Sequence, residues 1–313
     1  MFKRLYPITL TVCFLTALPG TLAAQTPLPN QDSLPSTESP FAKSNLHVWA
    51  FEEYDAVERT AVERARLLKE LGLTKAGYIC RNPQRAAEFE EYLTAYKRAG
   101  IELIAVWTPV HTGTPLKEPQ IKVFLDVVDR HKLRVQWWLT LEEDFDALAE
   151  NIRIDHAVSR LRPLVIEANN RKCRLVVYGH GTTRWFTQCE NQIAIVEKLQ
   201  TTMPKASLGI VYNFHQSHAQ MARFNSVFPR LSPHLVALNL NGMHSDGPRI
   251  ETIGKGDGER DMIETVFKSR WQGPVGILHH QRTKDAGKTL RANLDGLQSV
   301  LKELGDVSAL STN

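Results

Sequence analysis

Four polar strings in this 313-residue chain hold side chains able to move protons or bind a metal: Tyr178-Gly179-His180, Asn213-Phe214-His215-Gln216-Ser217-His218, Asn239-Leu240-Asn241 and His279-His280. Each follows a short, apolar, β-rich run. Imidazoles titrate near neutrality and serve as acid, base or metal ligand, while carboxamides orient hydroxyl and carbonyl oxygens. In a strand, residues i and i+2 share a face, so Asn213 points with His215, and Asn239 with Asn241. Gly209 and Val211 share the parity of Asn213, whereas Ile210, Tyr212 and Phe214 face the other way. His279 and His280 have opposite parity, so at most one points straight in. A buried strand that turns from Val and Leu to Asn or His must supply those groups with a partner, metal, water or ligand. Carboxylates stand at Glu52 and Glu53 after the first strand and at Glu142 and Glu143 after the fourth, where either pair supplies a base or a metal ligand. The candidate catalytic residues are therefore His215, His180, Glu142 and Glu52, and the candidate metal ligands His180, His215 and His279. Candidate substrate contacts are Asn213, Asn239, Asn241, His218, His280 and the aromatic platform of Trp185.

These residues need a scaffold that gathers strand ends. From Leu46 onward, β-rich runs alternate with segments of helical period, the signature of parallel βα units. The predicted strands are 47–51, 76–80, 102–107, 134–139, 174–178, 208–213, 235–240 and 275–279. Val57 to Leu71 carries Val57, Ala61, Ala65 and Leu68 at helical spacing, and Gly72 stops it. Pro83 to Ala99 repeats the pattern, with Pro83 at its start and Gly100 just past its end. Turns from helix to strand are short, whereas the segments at 108–118, 179–189 and 241–257 are long and polar. Eight units with long loops at one end predict an α/β protein, a (β/α)8 TIM barrel whose site lies at the carboxyl-terminal strand ends. His47 opens a strand and is expected at the opposite end. The alternative is an open doubly wound sheet, but no G-x-G-x-x-G turn follows the first strand, and no nucleotide cofactor is expected. Asp257, Glu259 and Asp261 lack the spacing of a calcium loop and read as a turn and helix start.

Residues 1–24 read as a signal peptide, with Lys3 and Arg4 before an apolar stretch and Leu22-Ala23-Ala24 before Gln25. Residues 25–45 are rich in Pro, Ser and Thr and read as a flexible tether, leaving the barrel at 46–305 and a disordered tail at 306–313. A periplasmic or secreted location follows, without stable membrane insertion after cleavage. Removing Lys3 and Arg4 takes the 38 basic residues to 36 against 34 acidic ones, or +2, too balanced to suggest nucleic acid as a partner. Cys80, Cys173 and Cys189 would remain, an odd number without C-x-x-C spacing, so neither a disulfide framework nor a thiolate metal site is signalled. No feature of the sequence sets an oligomeric state.

The motifs at Val-Val-Tyr-Gly-His180, Ile-Val-Tyr-Asn213-Phe-His215, Leu-Asn239-Leu-Asn241-Gly-Met243, Ile-Gly254-Lys-Gly-Asp257 and Gly273-Pro-Val-Gly-Ile-Leu-His279 resemble those of xylose isomerase-like barrels, the sugar phosphate isomerases/epimerases, especially a secreted bacterial subgroup. The likeness runs over nearly all of 46–304. It implies an exported sugar isomerase or epimerase that moves a proton next to a carbonyl of a small sugar or keto-sugar, with Trp185 stacking on the ring. Lyase or hydratase chemistry on keto-sugars, and a degenerate barrel that only binds carbohydrate, are the alternatives. The family holds a divalent metal with Glu, Asp, His and Glu from strands five to eight. The matching ends here carry His180, Asn213, Asn239 or Asn241, and His279, a set that weakens Mg or Mn and favours Zn, Co or Ni. The implied cofactor is thus a divalent metal, Zn, Mn, Co or Ni.

Overall fold

Local sequence fixes where the helices begin. Thr60 Oγ1 accepts from the Glu63 amide, and the Glu63 carboxylate accepts from Thr60 N at 2.8 Å, a capping box that starts α1 (Ala61–Glu70). The helix is therefore shorter than its apolar period suggests: Val57 lies in the preceding turn, 52% exposed, beside Glu58 at φ +53°. The second helix, α2 (Pro83–Ala99), matches expectation, with Asn82 accepting from Arg85 N and Gly100 ending it at φ +71°.

The computed structural model describes residues 38–181 and 184–310. Strands β1 (Leu46–Trp49), β2 (Lys75–Ile79), β3 (Glu102–Val110), β4 (Gln136–Leu141), β5 (Arg174–Tyr178), β6 (Leu208–Asn213), β7 (Leu235–Leu240) and β8 (Val275–Leu278) form a closed parallel barrel in chain order. β8 closes on β1 from Leu46↔Val275 to Trp49↔Leu278. The remaining principal helices are α3 (Pro119–His131), α4 (Glu150–Asn170), α5 (Cys189–Thr202), α6 (Phe224–Leu231), α7 (Glu259–Ser269) and α8 (Ala286–Leu304), followed by the short α9 (Val307–Leu310). The architecture is a (β/α)8 TIM barrel.

Strand alternation divides the core in two. Ile210, Tyr212, Phe214, Val275 and Ile277 join the large cluster between sheet and helices, while Trp49, Ile79, Trp107, Trp138, Tyr178 and Val211 fill the barrel axis. Gly77 makes room for this aromatic filling, since a Cβ there would lie 2.5 Å from the Trp49 ring. Trp49 and Trp138 have centroids 4.4 Å apart, and Trp138 is nearly parallel to Tyr178 at 5.8 Å.

Both ends of the folded unit extend further than expected. Within the segment assigned to the tether, Phe41 and Ala42 are fully buried, and Asn45 Nδ2 donates to Gly273 O at 2.5 Å. The tail assignment at 306 is likewise corrected: Ser39 Oγ donates to the Asp306 carboxylate, Asp306 is 2% exposed and Ala309 is buried. The assignments of a signal peptide to 1–24 and of a tether to 25–37 fall on residues outside those described. Cys80, Cys173 and Cys189 are buried free thiols. No helix among the described residues is long and apolar enough to cross a membrane.

Candidate active site at the carboxyl-terminal end of the barrel

Strand parity brings Asn213, His215 and His280 to one place. Asn213 is 2% exposed; its Nδ2 donates to the Tyr178 hydroxyl at 2.7 Å, and its Oδ1 is buried without a protein partner. The His215 ring lies 5.0 Å from that of His280, which stacks on Tyr54 at 4.0 Å. His215 Nδ1 is also buried and unpartnered. Opposite them, the Trp107 ring lies 5.2 Å from His180 and 5.7 Å from Tyr178. Trp107 Nε1 donates to Thr140 Oγ1 at 2.9 Å, and Thr140 in turn donates to Tyr178 O at 2.7 Å, which locks the indole in place.

His180 belongs to a dyad. Its Nδ1 lies 2.7 Å from Glu142 Oε1, and Arg184 donates to Glu142 Oε2. Burial pushes the Glu142 carboxyl up, but the contacts with His180 and Arg184 outweigh it and hold the group below its ordinary value. A carboxylate only accepts hydrogen bonds, so His180 Nδ1 carries the proton and its Nε2 lone pair is left for another partner. At 36% side-chain exposure the ring reaches solvent.

The other two histidines are held neutral. Burial first, then the charges of His280, Arg249, His180 and His218, lowers His215 to about 3. His280 falls to about 4 through burial and then Arg81, His180 and Arg282. Arg81 was not singled out from the sequence: its guanidinium lies over the Trp107 ring at 5.6 Å and donates to the Tyr54 hydroxyl at 3.1 Å. Glu53, nearly buried, pairs with Arg81 at 2.9 Å, Arg85 at 3.3 Å and Arg282 at 3.7 Å. The signal for Arg81 was its parity with the axial Ile79, and for Tyr178 its parity with Val176.

Several sequence-based assignments are corrected. His279 shares the outward parity of Val275 and Ile277; it is fully buried with Asp55, Arg64 and Asp285 as charged neighbours, so it is not a metal ligand at the mouth. Glu52 is no base at the mouth either. It is 3% exposed, with Arg64, Tyr78, Tyr92 and Tyr96 around it on the helix side of the sheet, and burial raises it to about 7. Asn239 points inward but is fully buried against His47, away from solvent: a Cβ on Gly276 would meet Asn239 Oδ1 at 2.0 Å and His47 Nε2 at 2.7 Å. His47 thus lies inside the barrel, where burial lowers it to about 3. Asn241 spends its amide on Gly242 O and Arg249 O at 2.7 and 2.8 Å, stapling its own loop. His218 Nε2 lies 2.7 Å from His244 O, a second loop anchor, and Trp185 stacks on Phe145 at 5.0 Å. Glu259 starts α7 with its carboxylate accepting from Met243, Gly254 and Gly256 amides, consistent with a turn and helix start.

The implied divalent metal does not fit these donors. His180 could offer only its Nε2, the Glu142 carboxylate is shared between His180 and Arg184, and His279 faces the helices. Arg249 and Arg81 bear on His215 and His280, where they repel a divalent cation. Among the described residues, no three His, Cys, Asp or Glu side chains converge as an ion site.

No protein-family model matches the chain, and no curated protein matches its sequence. Solved structures do. A structure of IolI protein with a zinc atom has a TM-score of 0.63 at 13% identity, covering 83% of this chain and 99% of that one. A D-psicose 3-epimerase solved in the presence of D-fructose gives 0.61 at 12%, covering 83% and 99%. The E. coli 3-keto-D-glucoside 4-epimerase YcjR gives 0.58 at 13%, again covering 83% and 99%. The fold is that of the xylose isomerase-like TIM barrels, and its solved neighbours include sugar epimerases and a probable 3-DHS dehydratase.

Proposed function

We propose that this protein is an exported enzyme that transfers a proton on the carbon next to a carbonyl of a small sugar derivative, giving isomerisation or epimerisation. The observation that carries this reading is the His180–Glu142 dyad, with one ring nitrogen committed to a carboxylate and the other available beside Trp107. His180 Nε2 takes the proton from carbon, and the C–H electron pair moves into a carbon–carbon double bond as the carbonyl oxygen gains charge. Glu142 stabilises the imidazolium that forms. His215 and His280, neutral at physiological pH, donate to or accept from the substrate's oxygens without competing for the proton. Asn213 Oδ1 accepts from a hydroxyl, and Trp107 packs on the sugar's C–H face. Delivery of a proton to the opposite face of the same carbon epimerises it, whereas delivery to the former carbonyl carbon, with the hydroxyl proton passing to the former carbonyl oxygen, isomerises the sugar.

Elimination of a neighbouring hydroxyl from the same enolate is the second reading, supported by likeness to the probable 3-DHS dehydratase at a TM-score of 0.57. Export rests on the signal-like residues 1–24 and is checked by the mass of the mature chain, expected to begin at Gln25. The activity is tested by incubating keto-sugars with the protein in deuterated water and following loss of the C–H signal by NMR. Exchange is expected for at least one sugar and should fall about 100-fold or more in His180→Ala. Exchange at the wild-type rate in that variant would remove His180 from the chemistry, whereas an unsaturated product would select elimination.

A further inference from the structure

We infer that Tyr178 is a catalytic hydrogen-bond donor, its phenol serving the carbonyl oxygen on which charge develops as His180 takes the proton. This deepens the proton-transfer reading and rests on it for the reaction. Tyr178 closes β5 on the axial side, two residues before His180, so both side chains leave the same strand at the mouth. Trp107 touches both, its ring 5.7 Å from that of Tyr178 and 5.2 Å from that of His180. The tyrosine is held firmly: Thr140 Oγ1 donates to its carbonyl at 2.7 Å, and its ring packs on Trp49 at 6.0 Å and lies within 9° of parallel to Trp138.

Its hydroxyl is answered on one side only. A phenol oxygen both accepts and donates. Asn213 Nδ2 donates to it at 2.7 Å, and the other hydrogen-bonding neighbour, the Trp49 indole, has only an N–H to give. Both partners therefore use the oxygen as an acceptor, and its own proton is left for a ligand. Tyr178 is 4% exposed and Asn213 2%, so a donor and an acceptor are held together at the floor of the mouth, the acceptor being the unpartnered Asn213 Oδ1. Buried groups of this kind cost free energy until a ligand satisfies them. An α-hydroxycarbonyl does so with adjoining atoms: its carbonyl oxygen accepts from Tyr178 and its hydroxyl donates to Asn213 Oδ1. That is the unit of a keto-sugar that enolises. As His180 Nε2 removes the proton, the C–H electron pair forms the carbon–carbon double bond and the carbonyl π pair moves onto oxygen. Tyr178 stabilises that oxygen without surrendering its proton, since burial pushes the phenol well above its ordinary pKa and keeps it a donor. Collapse of the enolate reverses these shifts.

The test pairs proton exchange with binding of a planar enediolate mimic. D-Erythronohydroxamate and its neutral counterpart D-erythronamide are titrated calorimetrically into the purified protein with EDTA present, so that no bound metal contributes. The hydroxamate is expected to bind about 10-fold or more tightly than the amide, and Tyr178→Phe to remove that preference. For any keto-sugar that exchanges in deuterated water, Tyr178→Phe should lower kcat about 100- to 1,000-fold with KM little changed, because the bond strengthens only as charge develops. Thermal melts check the fold of the variant. A fluorotyrosine in place of Tyr178 keeps the hydroxyl, and its fluorine NMR signal should shift on binding the hydroxamate and less on binding the amide. Equal affinities for hydroxamate and amide, a preference that survives in folded Tyr178→Phe, a loss confined to KM, or a fluorine signal indifferent to the hydroxamate would each overturn the inference. Tyr178-dependent hydroxamate binding without exchange in any keto-sugar would keep the donor and remove the proton-transfer reading. Exchange at the wild-type rate in Tyr178→Phe would do the reverse.

Discussion

Replacing Glu52 by glutamine should stabilise the protein above neutral pH. The carboxyl is 3% exposed, none of the described side chains hydrogen-bonds to its oxygens, and burial raises it from 4.5 to about 7 despite the attraction of Arg64. Below pH 4.5 it is protonated in both the folded and unfolded chain. As pH rises, the unfolded chain ionises first, so stability fully present below 4.5 is lost as pH rises through about 7. The complete loss is about 3 kcal/mol, of which about 2 to 3 kcal/mol falls between pH 5 and pH 8. Glutamine does not titrate, and the other ionisable groups are common to both proteins. Urea denaturation of wild type and Glu52→Gln at both pH values isolates the effect. The variant's advantage should grow by about 2 to 3 kcal/mol from pH 5 to pH 8. A difference between the two proteins that stays constant across this range would refute the claim that a buried, destabilising carboxylate stands at this position.

Gly296→Ala should destabilise by about 1 to 3 kcal/mol, because its Cβ would lie 1.8 Å from Ile253 O, a backbone atom that cannot turn aside; chemical denaturation measures it. Thr60→Ala removes half of the α1 capping box and should cost about 1 kcal/mol in the same experiment, with no change in ligand binding. Glu142→Gln should lower proton exchange about 100- to 10,000-fold while circular dichroism stays native, since its carboxylate orients His180 at the mouth.

Alternation of side chains was enough to read the barrel, the inward pair Asn213 and His215, and the outward Ile210, Tyr212 and Phe214. It also limited His279 and His280 to one inward residue, and the register of β8 selects His280. Parity is disturbed just past β1, where Ala50 takes φ +54° and lies with the axial residues although Leu46 and Val48 face the helices; Glu52 keeps the outward face of Val48 although its place after the strand makes it look like a mouth carboxylate. His180 and Glu142 lie 38 positions apart and meet only because β4 and β5 are neighbours, a pairing no local pattern reveals. Trp185 illustrates the same limit: its loop position suggested a platform, but Phe145 from the neighbouring loop supplies its packing partner. Arg81 was missed for a different reason: it is an ordinary loop residue in sequence, and only the closed barrel sets it beside Tyr54 and Trp107.

The most direct test of the dyad is nitrogen-15 NMR of the imidazoles at pH 9, with His180 assigned by its loss in His180→Ala. The geometry predicts the tautomer protonated at Nδ1, with Nε2 free, in wild type and loss of that preference in Glu142→Gln. A His180 protonated at Nε2, or a signal indifferent to Glu142→Gln, would contradict the account.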